Sequence, residues 1–270
     1  MHSIILTIHN GARKTSGGEI LLDKVLSGII DNTVGEYELL CMLDGCTDNS
    51  EDVVSNYENS ANIRKIILPD VFELLTNNAG FKASSGEYAI VVQDDQVISE
   101  YGWNVRMQKP FDEFNDVFAV TSRCAHNWTL NPNSFYLHNP DAPKKDWCDI
   151  LNHIDHSSVD HGQSRNIFAV RSTVNRGPLM MNLEDLKKLN YLDEEFVPCD
   201  MDDHDLMFRA YLELGKVCGC YWIEMESKPE WSGSMKNLNF NPNHNNTRRF
   251  YDRYKDVLDS RRIIDDRVLK

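Results

Sequence analysis

The sequence lacks the features of membrane-spanning and disulfide-bonded proteins. No apolar run approaches the roughly 18 residues that a transmembrane helix needs. The seven cysteines are scattered, odd in number and contain no C-x-x-C pair, so no disulfide framework is predicted. The N-terminal apolar run, Ile4 to Ile8, is too short for a secretory signal peptide. We therefore expect a cytoplasmic protein without a transmembrane segment, and peripheral contact with a membrane stays open.

Positive charge is also scarce. The chain has 28 Lys and Arg against 42 Asp and Glu, a formal net charge of −14, and no basic run. We therefore do not expect nucleic-acid binding, which depends on neutralising the phosphates with basic residues. An acidic protein needs a local cation to bind an anionic ligand. Two like charges about 4 Å apart repel by roughly 4 kcal/mol at an effective dielectric of about 20, and a divalent metal ion is the usual remedy.

Apolar segments and amphipathic segments alternate through the first hundred residues. Strands are predicted at 4–8, 37–43, 65–68 and 88–92, and helices at 22–30, 48–57 and 71–84, the last interrupted near Gly80. This alternation is typical of an α/β fold with a mostly parallel sheet flanked by helices. No linker divides the 270 residues, so we expect one continuous domain.

Polar residues follow three of the predicted strands. His9-Asn10 follows the first strand, Asp44 the second, and Asp94-Asp95 the fourth. In parallel sheets, ligands gather at the carboxyl ends of the strands. We therefore expect these three acids to meet at one edge of the sheet.

A second acidic cluster begins a predicted helix in the second half of the chain. Asp200, Asp202, Asp203 and Asp205 precede an apolar repeat that ends at Gly215. Aspartate is favoured at a helix cap and first turn, so capping explains part of the cluster. Four acids within six positions exceed what one cap needs. The excess is expected to meet water, a basic partner or a substrate hydroxyl.

The segment 121–176 is polar, and we predict long loops with short elements there. His153-x-x-His156, with His161 and Cys148, is a loose candidate for a zinc site, and surface histidines are the simpler explanation.

Several segments along the chain have the form of short sequence motifs: Ser3-Ile-Ile-Leu-Thr-Ile-His-Asn10, Leu43-Asp-Gly-Cys-Thr-Asp-Asn-Ser50, Thr76-Asn-Asn-Ala-Gly-Phe-Lys-Ala-Ser-Ser-Gly-Glu-Tyr88, Gln93-Asp-Asp-Gln96, Gly177 to Asn182, Tyr191-Leu-Asp-Glu-Glu-Phe196 and Asp202-Asp-His-Asp-Leu206. In this order they are similar to the elements S-I-I-I-P-T-Y-N, D-D-G-S-T-D-N-S, A-R-N-x-G-x-x-x-A-x-G-E-Y, D-x-D, G-x-x-x-x-x-R, G-F-D-E-x-F and E-D-x-D-L. The chain therefore resembles the family 2 glycosyltransferases, which have these elements and the nucleotide-sugar-binding GT-A fold. The resemblance spans about residues 3–215.

The resemblance implies a single GT-A domain and an inverting sugar transfer. Residues 1–98 would bind the nucleotide sugar, 99–225 would form the acceptor and catalytic half, and 226–270 would be a tail with a helix. The donor would be a nucleoside-diphosphate sugar. The acceptor would be a hydroxyl of a glycan, a lipid-linked molecule or another compound.

The resemblance also implies roles for individual residues. The nucleotide sugar would be bound by Ile8, His9, Asn10, Asp44, Asn77, Asn78 and Asp94. Asp95 and His244 would ligate Mn²⁺ or Mg²⁺, since hard oxygen ligands suit such ions. Asp203 would be the general base, and Asp202 would orient it or hold an acceptor hydroxyl.

Four positions depart from the family pattern, and two alternatives stay open. The departures are Leu43 for the first Asp of D-D-G-S, Asn77 for the Arg of A-R-N, Gln93 for the first acid of D-x-D and Asp202 for the Glu of E-D. A sugar-phosphate nucleotidyltransferase would need a G-x-G-x-x-[RK] loop, of which Asn10-Gly-Ala-Arg-Lys14 has one glycine. A catalytically inert nucleotide- or carbohydrate-binding module of the same fold is the second alternative.

Overall fold

The computed structural model describes residues 1–127, 164–228, 230–231, 243–258 and 263–270. The strands are β1 (His2–Ile8), β2 (Thr15–Ser16), β3 (Glu19–Ile20), β4 (Tyr37–Asp44), β5 (Ile63–Leu68), β6 (Tyr88–Gln93), β7 (Val97–Ile98), β8 (Val117–Thr121), β9 (Cys124–His126), β10 (Ile167–Arg171), β11 (Thr173–Asn175), β12 (Leu179–Asn182), β13 (Val217–Cys220), β14 (Met225–Glu226) and β15 (Asp265–Val268). The helices are α1 (Leu21–Asn32), α2 (Ser50–Ser55), α3 (Phe72–Ala83), α4 (Trp103–Glu113), α5 (Leu183–Lys188), α6 (Asp202–Leu214) and α7 (Asn243–Tyr254), with 3-10 turns at Gly11–Arg13 and Glu194–Phe196.

A nine-stranded sheet organises the described part of the chain, in the order β15-β10-β13-β8-β12-β6-β1-β4-β5. Strands β6, β1, β4 and β5 are mutually parallel. Strand β12 runs antiparallel between β6 and β8, and β10 runs antiparallel between β13 and β15. The predicted α/β fold with a mostly parallel sheet is therefore confirmed. The parallel strands place the carboxyl ends of β1, β4 and β6 side by side.

Side-chain alternation in β1 divides the core between the two faces of the sheet. Ile4 and Leu6 are fully buried with residues of α1, α2 and α4, whereas Ile5 is buried with residues of α3 and α6. Helix α3 packs especially close, since a Cβ added to Gly80 would lie 2.5 Å from Cγ2 of Ile5. The predicted interruption of this helix near Gly80 is wrong, because the glycine serves close helix–sheet packing within a continuous helix.

The segment predicted as long loops contains more sheet than expected. Strands β9, β10 and β11 lie within 121–176, and β10 belongs to the central sheet. The short apolar run Phe168 to Val170 is buried there, which explains why a generally polar segment contributes a strand. The zinc candidate formed by His153, His156, His161 and Cys148 lies outside the described residues.

The last strand anchors the C-terminus to the edge of the sheet. Arg267 donates two hydrogen bonds to the carboxylate of Asp116, at 2.6 and 2.8 Å. Leu269, just beyond β15, is buried. Within the described ranges, no helix combines the length and the apolar character needed to cross a bilayer.

Candidate active site

Five of the predicted donor-binding residues, Ile8, His9, Asn10, Asp44 and Asp94, lie at the carboxyl ends of β1, β4 and β6. The backbone N–H of His9 donates to Oδ2 of Asp94 at 3.2 Å. Nδ1 of the same histidine donates to the carbonyl oxygen of Asp44 at 2.8 Å, because a carbonyl can only accept. His9 therefore connects the ends of the neighbouring strands, and the expected convergence of Asp44 with Asp94 is present.

Asp44 is held at the end of β4 with little access to solvent. Its side chain is 6% exposed, and its Oδ1 accepts a hydrogen bond from the N–H of Val71 at 2.8 Å. Burial raises the pKa of Asp44, and the bond from Val71 offsets only part of that effect. A buried carboxylate of this kind gains from an additional donor.

Asp94 forms an ion pair with a lysine of the loop after β1. Nζ of Lys14 lies 2.7 Å from its Oδ1 in a partly buried ion pair. The loop that carries Lys14 passes close to Asp94 at Gly11, since a Cβ on this glycine would lie 3.3 Å from Oδ2 of Asp94. Both oxygens of Asp94 therefore already have a donor.

Asp95 is the carboxylate whose surroundings fit a metal ion. Its Oδ1 is buried and has no hydrogen-bond partner among the described residues. Burial and the neighbouring charge of Asp94 raise the pKa of Asp95 to about 6, although Arg123 and Lys14 act in the opposite direction. A buried carboxylate oxygen without a donor suits a hard cation such as Mn²⁺ or Mg²⁺. The other predicted ligand, His244, is the second residue of α7, but its side chain lies outside the described part.

The backbone after β1 is shaped by side chains from the loop after β4. Asn10 has a left-handed φ of 51°, and its Oδ1 accepts a hydrogen bond from the N–H of Thr47 at 2.9 Å. The side chain of Ile8 is fully buried, and its carbonyl accepts a 3.3 Å hydrogen bond from Sγ of Cys46. These contacts hold the 8–10 segment in place, and its predicted contact with the nucleoside stays a prediction.

The two asparagines of α3 differ in their surroundings. Nδ2 of Asn78 donates to the carbonyl of Leu192 at 2.9 Å, and its Oδ1 accepts from the N–H of the same residue at 3.0 Å. Asn78 therefore ties α3 to the segment before the second acidic cluster, and its predicted nucleotide contact stays a prediction. Asn77 is buried, and neither atom of its amide has a partner among the described residues.

The second acidic cluster surrounds Arg176. The guanidinium donates to Oδ2 of Asp202, and the backbone N–H of Arg176 donates to Oδ2 of Asp203 at 3.3 Å. Burial raises the pKa of the fully buried Asp202 to about 6, despite the opposing charge of Arg176. For Asp203, burial acts in the same direction, but His204 and Arg176 outweigh it, so its pKa lies below the ordinary value. The pKa values of these two neighbouring carboxylates are therefore shifted in opposite directions.

Two histidines linked to Asp203, His204 directly and His126 through His204, were not predicted as site residues. Nδ1 of His204 lies 2.6 Å from Oδ1 of Asp203, and its Nε2 lies 3.1 Å from Nε2 of His126. Arg176 and Arg123 were missed as well. The signal for His204 was its place inside the D-D-H-D motif, whereas His126 has no local signature because it lies 78 positions away.

Glu73 on α3 joins the two acidic groups. Its Oε1 accepts a 2.7 Å hydrogen bond from Nε2 of Gln93, the residue before Asp94. The same oxygen lies 3.5 Å from Nη1 of Arg176. The charge of the half-buried Arg123 interacts with both Asp95 and Asp203. The strand-end acids and the helix α6 acids therefore belong to one site.

One further combination within the described chain could hold a metal ion. Ligand atoms of His9, Asp44 and Asp70 lie within 4.8 Å of one another. Asp70 follows β5 and is exposed, whereas Asp44 is buried. This grouping was not predicted, because Asp70 stands outside the motifs that drew attention in the sequence.

Several solved structures have a similar fold. TarS 1–349 of S. aureus superposes with a TM-score of 0.53 at 16% identity, covering 81% of this chain and 57% of that one. GalNAc-T7, solved with UDP, GalNAc and Mn²⁺, gives 0.64 at 12% identity, covering 96% and 49%. The mannosyltransferase PcManGT from Pyrobaculum calidifontis, with GDP-Man and Mn²⁺, gives 0.52 at 11% identity, covering 80% and 53%. This chain spans about half the length of each, and the likeness shows the shared GT-A fold.

Sequence comparison identifies the family. A search of curated protein sequences finds no match. The family model described as Glycosyl transferase family 2 matches residues 3–173, which is more than half of the 270 residues. The chain therefore belongs to glycosyl transferase family 2.

Proposed function

We propose that this protein is an inverting, metal-dependent glycosyltransferase with an aspartate general base. It moves a sugar from a nucleoside-diphosphate sugar to a hydroxyl of a glycan, a lipid-linked molecule or another acceptor. Its family membership supports sugar transfer. Structural neighbours solved with UDP, UDP-GlcNAc and GDP-Man support a nucleotide sugar as the donor. Assays with different nucleotide sugars identify the sugar that is transferred.

The observation that carries the proposal is the junction of the two acidic groups through Glu73. Its carboxylate contacts Gln93 on the donor side and Arg176 on the side of Asp203. Transfer requires the anomeric carbon to lie between the leaving diphosphate and the attacking hydroxyl. Because Glu73 contacts both the donor-side residues and Arg176 beside Asp203, it can keep the two groups aligned for transfer.

The donor would lie along the ends of β1, β4 and β6. Asp44 would accept a hydrogen bond from an N–H of the nucleobase, because its buried carboxylate gains from a further donor. The backbone of His9 and Asn10 would line the nucleoside, and Asp94 would face the ribose hydroxyls. Lys14 lies beside Asp94 and would offer its charge to the diphosphate.

Asp95 would hold the divalent ion, Mn²⁺ or Mg²⁺, through Oδ1, which has no hydrogen-bond donor within the described ranges. When bound, such an ion neutralises negative charge on the diphosphate. The protein's own contribution is to keep this carboxylate buried and oriented, with Arg123 limiting the repulsion between Asp95 and Asp94.

Asp203 would act as the general base through Oδ2. The acceptor O–H bond breaks as its oxygen bonds to the anomeric carbon, and the proton passes to Asp203. The bond from that carbon to the diphosphate oxygen breaks on the opposite face, and the electron pair leaves with the diphosphate, which inverts the configuration. The lowered pKa keeps Asp203 ionised at neutral pH, so the base is ready before the acceptor arrives. Help of this kind is typically worth about 10²–10⁴-fold.

A panel of nucleotide sugars with Mn²⁺ or Mg²⁺ tests the proposal. Release of the nucleoside diphosphate, with transfer to a hydroxyl acceptor or to water, supports it. The anomeric configuration of the product, read by proton NMR, tests inversion. Formation of a nucleoside triphosphate from the nucleotide sugar and pyrophosphate would indicate a nucleotidyltransferase instead. Binding without turnover throughout the panel would indicate an inert binding module.

A further inference from the structure

His204 connects the carboxylate of Asp203 to a second buried imidazole. Its Nδ1 lies 2.6 Å from Oδ1 of Asp203, and its backbone N–H donates to the same oxygen at 2.9 Å. On the far side of the ring, Nε2 lies 3.1 Å from Nε2 of His126, and Nδ1 of His126 lies 3.7 Å from Sγ of Cys124. Both histidines are buried, each with 2% of the residue exposed. Four side chains from β9 and α6 therefore form one buried chain of polar contacts.

The chemistry of the groups determines where the protons lie. An ionised carboxylate can only accept, so Nδ1 of His204 carries a proton. In a neutral imidazole the opposite nitrogen is then an acceptor, and Nε2 of His126 must donate to it. Nδ1 of His126 is left as an acceptor that faces the thiol of Cys124. Each link then has one donor and one acceptor.

The packing around this chain restrains the His204 ring. The ring of Phe250 from α7 meets it edge-on, with centroids 6.2 Å apart and planes at 80°. The His126 ring lies on the other side, with centroids 5.1 Å apart. A buried imidazole without a partner for Nε2 would carry the cost of an unsatisfied polar atom. His126 therefore makes the observed orientation of His204 the favourable one.

We propose that His204, backed by His126, is a positioning residue of the acceptor base. The pair holds Oδ1 of Asp203 so that Oδ2 is the oxygen that takes the acceptor proton. This assignment rests on the proposed function of Asp203. His204, which stands between Asp203 and Asp205 in the motif, then has a defined role. Neither histidine needs to touch the substrate for this role.

The charges that face this unit come from several elements. Asp200 precedes α6 and Asp202 begins it, and both interact electrostatically with Asp203. The other charged groups are Arg176 between β11 and β12, Glu73 on α3 and Arg123 between β8 and β9. Arg176 and Arg123 favour the ionised form of Asp203, and the other carboxylates disfavour it. Loss of the His204 contact therefore shifts the balance towards the protonated base.

Two substitutions of His126 separate positioning from mere packing. His126→Gln keeps an N–H near the place of Nε2, whereas His126→Leu fills similar space without a donor. We expect kcat of His126→Leu to fall by about 10- to 100-fold, as for a misplaced catalytic group. Its KM for the donor should stay within about twofold, because donor contacts are untouched. The acid limb of its kcat profile should move to higher pH, and His126→Gln should keep most of the activity. Equal losses in both variants, or a change in donor KM alone, would overturn the assignment.

Nitrogen-15 NMR of the histidine rings tests the chain without relying on turnover. We expect a proton on Nδ1 of His204 and on Nε2 of His126. A His204 ring protonated only at Nε2 would overturn this inference even if the enzyme transfers sugar. Failure of the unmodified protein to transfer any sugar would contradict the proposed function, and the positioning assignment with it. The two failures are therefore distinguishable.

Discussion

Oε1 of Glu73 lies 3.5 Å from Nη1 of Arg176, and it also accepts a 2.7 Å hydrogen bond from Gln93. This carboxylate thereby connects the strand-end acids of the donor side with the acids that open α6. Glu73→Gln keeps a group that can bond to Gln93 but removes the charge beside Arg176. Arg176 would then be drawn closer to Asp202 and Asp203.

We expect kcat of Glu73→Gln to fall by about 10-fold or more, because the base would be displaced while donor contacts remain. Steady-state kinetics with the best donor of the panel measures this. The matched control is Glu51→Gln, an exposed glutamate on α2 that lies 3.7 Å from Lys65. Unchanged kcat in Glu73→Gln would show that the bridge is only structural.

Asp203→Asn tests the base. The amide has the size of the carboxylate but cannot take a proton at neutral pH. We expect the nucleotide to bind with unchanged affinity, while transfer slows by about 10²–10⁴-fold. Calorimetric titration with the nucleoside diphosphate and single-turnover assays separate the two effects. Retention of full turnover would remove Asp203 from the mechanism.

Asp95→Asn tests the metal site. Oδ1 of Asp95 is buried and has no donor among the residues that the structure describes, so the amide should abolish the stabilisation that Mn²⁺ adds to nucleotide binding. In the absence of ligand, the same change should raise the thermal midpoint, because a poorly solvated charge next to Asp94 is removed. Thermal-shift assays with nucleotide, with and without Mn²⁺, measure both effects. Asp52→Asn, at an exposed position of α2, is the control and should change neither.

Lys14→Ala tests the cation beside Asp94. If Lys14 turns its charge to the diphosphate, the variant should lose about 10-fold in affinity for the nucleoside diphosphate and much less for the nucleoside, which carries no phosphate. Lys24→Ala is the matched control, since Lys24 pairs with the exposed Glu19 at 2.8 Å. Equal losses for nucleoside and diphosphate would argue that Lys14 acts only by holding Asp94.

The C-terminal strand should loosen in acid. The hydrogen bonds from Arg267 hold the pKa of Asp116 below its ordinary value. A carboxyl group with a lowered pKa stabilises the folded state above its unfolded pKa of about 4, and this stabilisation disappears as the pH falls through the folded value. Amide hydrogen exchange of Asp265–Val268 should therefore accelerate below about pH 4, after correction for the intrinsic rate. Asp116→Asn should exchange faster at neutral pH and show a smaller acid response; an unchanged response would assign it to other carboxylates.

Local patterns in the sequence were enough to predict the architecture around the strand ends where Asp44 and Asp94 lie. Apolar strands alternating with amphipathic helices require a parallel sheet, and a parallel sheet places the residues after its strands at one edge. Asp44 and Asp94 are found there for that reason. The ordered motifs led to the same family that the comparison identified.

Only the tertiary structure decided how the acids are neutralised and oriented. Asn78 meets Leu192 across 114 positions, and His126 meets His204 across 78. Pairings of this kind leave no periodic or local signal, because they depend on how packed helices and strands bring distant side chains together. The same holds for Glu73 and Arg176, whose contact joins the two halves of the site. Strand ends could be located from sequence because backbone geometry repeats, whereas the partners of buried charges are set by packing that does not repeat.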